Sequence, residues 1–268
     1  MTTGMGTSKF IKGLLASALA LAAGPLVPGA HAETSKPTIV LVHGAFADSS
    51  SWNGVITILQ RDGYKVIAAA NPLRGVRADS DVVADIVKSV DGDVVLVGHS
   101  YGGFVISEAA VGRPNVKSLV FVAAYAPDEG ETAVALTNKF PGSTLGPALA
   151  PPVNLTGGGK DFYILQAKFH AEFAPDVPVD AAKLMAAGQR PIAEAVLGEA
   201  ATPPAWKSTP SWFIYGDSDR IIPPAGLAFM AARAKPKQTI VIKGASHVVM
   251  VSHAPEVAAL IEKAAAAR

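Results

Sequence analysis

The chain has 268 residues, enough for one large α/β domain with a sizeable core. Its 23 lysines and arginines nearly balance 22 aspartates and glutamates, and no basic stripe runs along it, which argues against nucleic acid as a partner. The absence of cysteine excludes disulfides and a lipid-modified cysteine.

Residues 1–32 read as a secretory signal peptide. Lys9 and Lys12 give a positive start, Gly13 to Ala23 is apolar, and Gly24-Pro25 breaks the run. Ala30-His31-Ala32 is a small-x-small cleavage site before Glu33. The apolar run is too short to span a bilayer, so the expectation is a periplasmic or secreted protein cleaved near Ala32, without a membrane anchor.

Thr38 to Val42 is the first strand, and its continuous apolar run suits a parallel sheet covered on both faces. His43-Gly44-Ala45-Phe46 follows. Trp52, Val55, Ile56 and Leu59 then share one helical face, with serines 49 to 51 able to cap it. Tyr64 to Ala69 is a second strand. Val82, Val83, Ile86, Val87 and Val90 mark a second helix. Val94 to Val97 is a third strand, Phe104 to Ala110 a third helix, and Val116 to Ala123 a fourth strand. The alternation then stops. Residues 126–208 are rich in Pro, Gly and Ala, with helical fragments at Asp161 to Phe173, Pro178 to Ala187 and Pro191 to Leu197. Such a stretch is too long for a plain loop and reads as a helical cap inserted into a core formed by 33–125 and 209–268. Strand Ser211 to Tyr215, helix Pro224 to Ala234, strand Gln238 to Ile242 and a helix from Pro255 to Ala267 complete the pattern. Six βα units predict a doubly wound, mostly parallel sheet with helices on both faces and a site at the carboxyl ends of the strands.

Strand three runs into Gly98-His99-Ser100-Tyr101-Gly102-Gly103, a strand–turn–helix with a serine at its apex. The turn is so tight that Ser100 must adopt a strained backbone, and Gly98 and Gly102 omit side chains where strand and helix nearly touch. A serine hydroxyl is a weak nucleophile until a base takes its proton, and an acid must orient that base. Asp217 and Asp219 follow the strand ending at Tyr215. His247 follows the strand ending at Ile242. The order Ser, Asp, His is the one this topology uses.

With these motifs the chain resembles the α/β-hydrolase superfamily over essentially its whole mature length. It is similar to small bacterial and plant carboxylesterases that share His-Gly-Ala-Phe…Ser-Trp, Gly-His-Ser-Tyr-Gly-Gly and a late Ser-His before a terminal helix. The resemblance implies a Ser100–His247–Asp219 triad, since the family's acid precedes an Ile-Pro pair by a few residues. Asp217 lies in the same turn, and sequence alone leaves it open as the acid, as it does Asp128 or Glu129 after the fourth strand. The resemblance also implies an oxyanion hole from the amides of Ala45 and Tyr101, an acyl-enzyme, no cofactor and a small ester substrate. His253 matches the step that starts the last helix.

Phe46, Phe162 and Tyr163 are the candidate pocket residues, with Trp52 and Phe169 serving equally as core. His43 is expected to brace the oxyanion loop, His99 to pack in the core, and His170 to be a solvated cap residue. No metal site is expected. Hydroxynitrile lyases share the fold but carry threonine and lysine where this chain has Gly44 and Val248, and perhydrolases often carry methionine where it has Tyr101. Acyl transfer and a non-catalytic ligand-binding relative stay open. The exposed cap is compatible with a monomer or a homodimer.

Overall fold

Six parallel strands make the central sheet: β1 (Thr38–Val42), β2 (Val66–Ala69), β3 (Val94–His99), β4 (Val116–Val122), and, beyond a long insertion, two more at Ser211–Gly216 and Gln238–Ile242. The computed structural model describes residues 35–267, besides Met1, so the expected signal peptide lies outside the described residues. The first four strands are accompanied by α1 (Asn53–Arg61), α2 (Val76–Lys88) and α3 (Gly102–Ala109). The insertion carries α4 (Ala133–Asn138), α5 (Leu145–Ala148), β5 (Val153–Asn154), β6 (Lys160–Phe162), α6 (Gln166–Phe173), α7 (Val179–Gly188), β7 (Ile192–Ala193) and α8 (Glu194–Gly198). The chain closes with β8 (Ser211–Gly216), α9 (Pro224–Ala234), β9 (Gln238–Ile242), α10 (Val249–Ser252) and α11 (Ala254–Ala266).

The strand order is β2-β1-β3-β4-β8-β9, with every neighbouring pair parallel. This is the α/β-hydrolase fold. The uninterrupted apolar runs of β1 and β3 follow from helices on both faces, and both strands are buried throughout. Each fully buried Val, Ile or Leu contributes roughly 1.5–3 kcal/mol against exposure. Across the join to the second half, Phe121 of β4 stacks on Phe213 of β8 with ring centroids 4.6 Å apart. Val55 and Leu59 bury the inner side of α1, with Trp52 buried just ahead of it, and α1 packs against α11.

The insertion departs from the expected helices in two places. Residues 160–162 are a strand, and helix α6 starts only at Gln166. Ile192 and Ala193 form a second strand ahead of α8. With β5 they make a small antiparallel sheet, β5-β6-β7. Pairing of Asp161 with Ala193 and of Phe162 with Ile192 overrides the helical pattern in the first part of this segment, while Phe169 and Phe173 of α6 reach the core.

Candidate active site

The strand–turn–helix from β3 to α3 places Ser100 at its apex. Its φ is +54°, in the left-handed region where a non-glycine residue is strained. A Cβ on residue 98 would lie 2.6 Å from the carbonyl oxygen of Gly102, and one on residue 102 would lie 2.5 Å from that of Val42. Only glycines let strand β3, helix α3 and strand β1 approach so closely.

Loops leaving the ends of β3, β8 and β9 on one sheet edge bring three residues together. The Ser100 hydroxyl donates to His247 Nε2 at 2.9 Å, and His247 Nδ1–H donates to Asp219 Oδ2 at 2.7 Å. The carboxylate facing Nδ1 fixes that tautomer. The other oxygen of Asp219 accepts the N–H groups of Ile221 and Ile222 at 2.8 and 3.0 Å. His247 and Asp219 side chains are fully buried. Asp217 points elsewhere: its Oδ1 accepts Gly244 N–H at 2.6 Å on the exposed surface. Asp128 pairs with Lys207 at the surface.

The amides of Ala45 and Tyr101 flank Ser100, and neither N–H bonds another backbone group among the described residues. The next amide, Phe46 N–H, is engaged by the Arg190 carbonyl at 3.0 Å. Phe46 itself has φ +60°, a second strained position beside the serine. His43 braces this loop. Its Nδ1–H donates to the Gly44 carbonyl at 2.9 Å while Nε2 accepts Asn71 N–H at 3.1 Å. The Tyr101 side chain turns inward and donates its hydroxyl to Asp79 at 2.8 Å. Burial raises the pKa of both partners.

His99 is buried as expected, but it also has a partner: its Nε2–H donates to the His247 carbonyl at 3.0 Å. Desolvation pushes the pKa of His43 below 6.5 and that of His99 well below it. Both bind fewer protons folded than unfolded, so their contribution to stability is complete above the unfolded value and is lost as pH falls below it. Asp79 has the opposite sign: its raised folded pKa makes it favour folding at acid pH, an effect lost as pH rises through that value. Thermal melts between about pH 7 and pH 5 should therefore show a falling Tm, and His99→Gln, which keeps a donor for the His247 carbonyl, should flatten that slope.

A cavity of about 410 Å³ opens beside Ser100. Phe46, Phe162, Leu145, Leu149, Ile192 and Ile221 supply much of its apolar wall, and Thr137, Asn138 and Ser143 add polar groups. Tyr125 also lines it; its hydroxyl is hydrogen-bonded to Thr137 at 2.7 Å, and burial pushes its pKa up to about 12. No charged side chain lines it among the described residues. Tyr163, expected in this wall, is not there. It lies one residue beyond Phe162, where strand alternation reverses direction, and its carbonyl pairs with Ala150 N–H at 2.8 Å. Trp52 and Phe169 are wholly buried in the core. His170 is half-buried and also tied back to the Val177 carbonyl at 3.0 Å.

The model of the alpha/beta hydrolase family matches residues 39–260. The chain belongs to that family. A carbendazim hydrolyzing esterase of Nocardioides sp. (strain SG-4G) is 34% identical over 113 residues, which are 37% of this chain and 47% of that protein. The match thus spans about half the length of that relative. Methylesterase 3 of Arabidopsis thaliana is 27% identical over 254 residues, 85% of this chain and 96% of its own. Among solved structures, polyneuridine aldehyde esterase superposes with a TM-score of 0.74 at 20% identity, covering 85% of this chain and 99% of its own.

Sequence reasoning missed two members of the site region. Asp176, in the loop between α6 and α7, touches the histidine loop, and Asp79 anchors Tyr101. Asp176 sits in Ala-Pro-Asp-Val-Pro, a run that reads only as a break between helices. Asp79 lies in the first turn of α2, where an acid is ordinary.

Proposed function

We propose that this protein hydrolyses small, uncharged, largely apolar carboxylic esters through an acyl-enzyme on Ser100. The observation that carries the reading is the continuous chain from Ser100 Oγ through His247 to Asp219 at the mouth of an apolar cavity. His247 Nε2 takes the serine proton as Oγ attacks the ester carbonyl. The imidazolium that forms is stabilised by Asp219. The developing oxyanion is held by the free amides of Ala45 and Tyr101, each worth on the order of 3 kcal/mol in comparable sites. His247 then protonates the departing alcohol, and water repeats the sequence on the acyl-enzyme. Apart from the attacking water, the chain's own residues would supply each group these steps use.

The relatives named as esterases support the reaction class. The cavity supports the substrate class, since an apolar wall without charge favours neutral acyl groups, and its volume suits a compact ligand. Cyanohydrin chemistry is disfavoured at Gly44: a Cβ there would lie 2.6 Å from that of Ser100, leaving no room for a threonine. The leader at 1–32 would deliver the enzyme to the periplasm or the exterior. Residues 126–208 would act as the cap that sets specificity.

The test is hydrolysis of a p-nitrophenyl ester series from acetate to palmitate, with fluorophosphonate labelling in parallel. Turnover should peak at short acyl chains, and both turnover and label should vanish in Ser100→Ala. A folded protein that labels at no serine and hydrolyses no ester would overturn the reading.

A further inference from the structure

Asp176 is a partly buried carboxylate beside the site that the reaction above does not use. It lies three residues beyond Phe173, the last residue of α6, within the insertion. Its Oδ2 accepts the Ser246 N–H at 2.9 Å and the Ser252 hydroxyl at 2.8 Å. His253 Nδ1, bonded to the Ser252 hydroxyl at 2.9 Å, stands 4.0 Å from the same oxygen. These partners lie on both sides of His247: one on the residue before it, the others at the end of α10.

The backbone of His247 is therefore held from two directions. Upstream, the Ser246 N–H is fixed by Asp176. Downstream, the His247 carbonyl is fixed by His99 at 3.0 Å. The same stretch of the insertion also meets the ring, since Phe173 sets an edge contact on the imidazole with centroids 5.2 Å apart. Burial opposes charge on Asp176, yet the hydrogen bonds from Ser246 and Ser252 outweigh it and hold the carboxyl below its usual range. An acceptor so engaged stays in place.

We propose that Asp176 is a positioning residue for His247: a carboxylate from the cap that fixes the loop carrying the imidazole, so that the cap holds the base within reach of Ser100. The inference rests on the reading of His247 as the base. Proton transfer requires heavy atoms at about 3 Å, and a displacement of about 1 Å can cost on the order of a hundredfold in rate. Removing the acceptor leaves the Ser246 N–H and the Ser252 hydroxyl to find other partners, and the loop must shift for them to do so.

The experiment compares Asp176→Ala, Asp176→Asn and Asp176→Glu with His247→Ala, on the best p-nitrophenyl ester. It reads kcat, KM, thermal stability and the downfield proton resonance of His247 Nδ1–H. Asp176→Ala should lower kcat by on the order of tenfold or more with KM nearly unchanged, and should broaden the resonance. Asp176→Asn places a carbonyl oxygen where Oδ2 stood, and should recover kcat to within about threefold of the parent, with the resonance restored. Asp176→Glu keeps the charge but overreaches, and should lose kcat while folded; it carries the test if the alanine variant does not fold. Parental kcat in both Asp176→Ala and Asp176→Glu, or an asparagine variant no better than alanine, overturns the proposal while an inert His247→Ala leaves the base assignment standing. A His247→Ala variant with parental activity overturns that assignment, and the proposal with it.

Discussion

Asp219→Asn should lower kcat by about 10⁴-fold, whereas Asp217→Asn should stay within about twofold of the parent. The two acids sit two residues apart in one turn, and their environments differ completely. Asp219 is buried and gives one oxygen to the amides of Ile221 and Ile222, the other to His247 Nδ1–H. Asparagine keeps the amide contacts with its carbonyl oxygen and turns an NH₂ toward His247. That group cannot accept the imidazole proton. It favours the tautomer with hydrogen on Nε2, which faces Ser100 with a donor where an acceptor is needed. It also supplies no negative charge for the imidazolium. Asp217 only closes the turn to Gly244 at the surface. Steady-state kinetics on a p-nitrophenyl ester decides the matter: a large loss at 217 with little at 219 would reverse the assignment.

Gly103→Ala should cost about 3 kcal/mol or more in stability, read as a Tm lowered by about 10 °C or as loss of soluble protein. A Cβ there would lie 1.9 Å from the Tyr125 carbonyl oxygen and 3.1 Å from the Ala124 side chain. The nearest obstacle is backbone, and it cannot retreat easily. The Tyr125 N–H is bonded to the Ser100 carbonyl at 3.2 Å, and Ala123 just before it already has φ +43°. A shift that relieved the clash would pull on the serine turn itself. Gly157→Ala is the matched control, since a Cβ there meets nothing within 4 Å. Calorimetry showing equal melting temperatures for the two variants would refute the packing argument.

How far the sequence could be read depended on the length and continuity of each signal. Strands β1, β3, β4 and β8 announce themselves through apolar runs, because a sheet covered on both faces needs apolar residues on both sides. Ser100 was legible because strand, glycines and helix surround it in order. The small sheet of the insertion was not. Val153–Asn154 and Ile192–Ala193 are two residues each, too short for any period, and Val153 and Asn154 are exposed. The choice between Asp217 and Asp219 needed side-chain directions, which spacing does not carry. Tyr163 was misplaced for a related reason: its aromatic character is that of Phe162, and only the strand pleat separates them. Asp176 had no local signature, because its partners lie 70 and 76 residues away.

The parallel sheet has a consequence for the order in which the molecule becomes functional. Ser100 and His247 are 147 residues apart, and the strand that delivers the histidine forms the outer edge, beside β8. Parallel pairing of such distant segments is slow, because the intervening chain must be ordered first. A chain emerging from the ribosome presents the serine turn long before it can present the imidazole, and until then the proposed mechanism lacks its base. On the proposed mechanism turnover therefore marks the final closure of the sheet, and recovery of catalysis times a later event than recovery of helix.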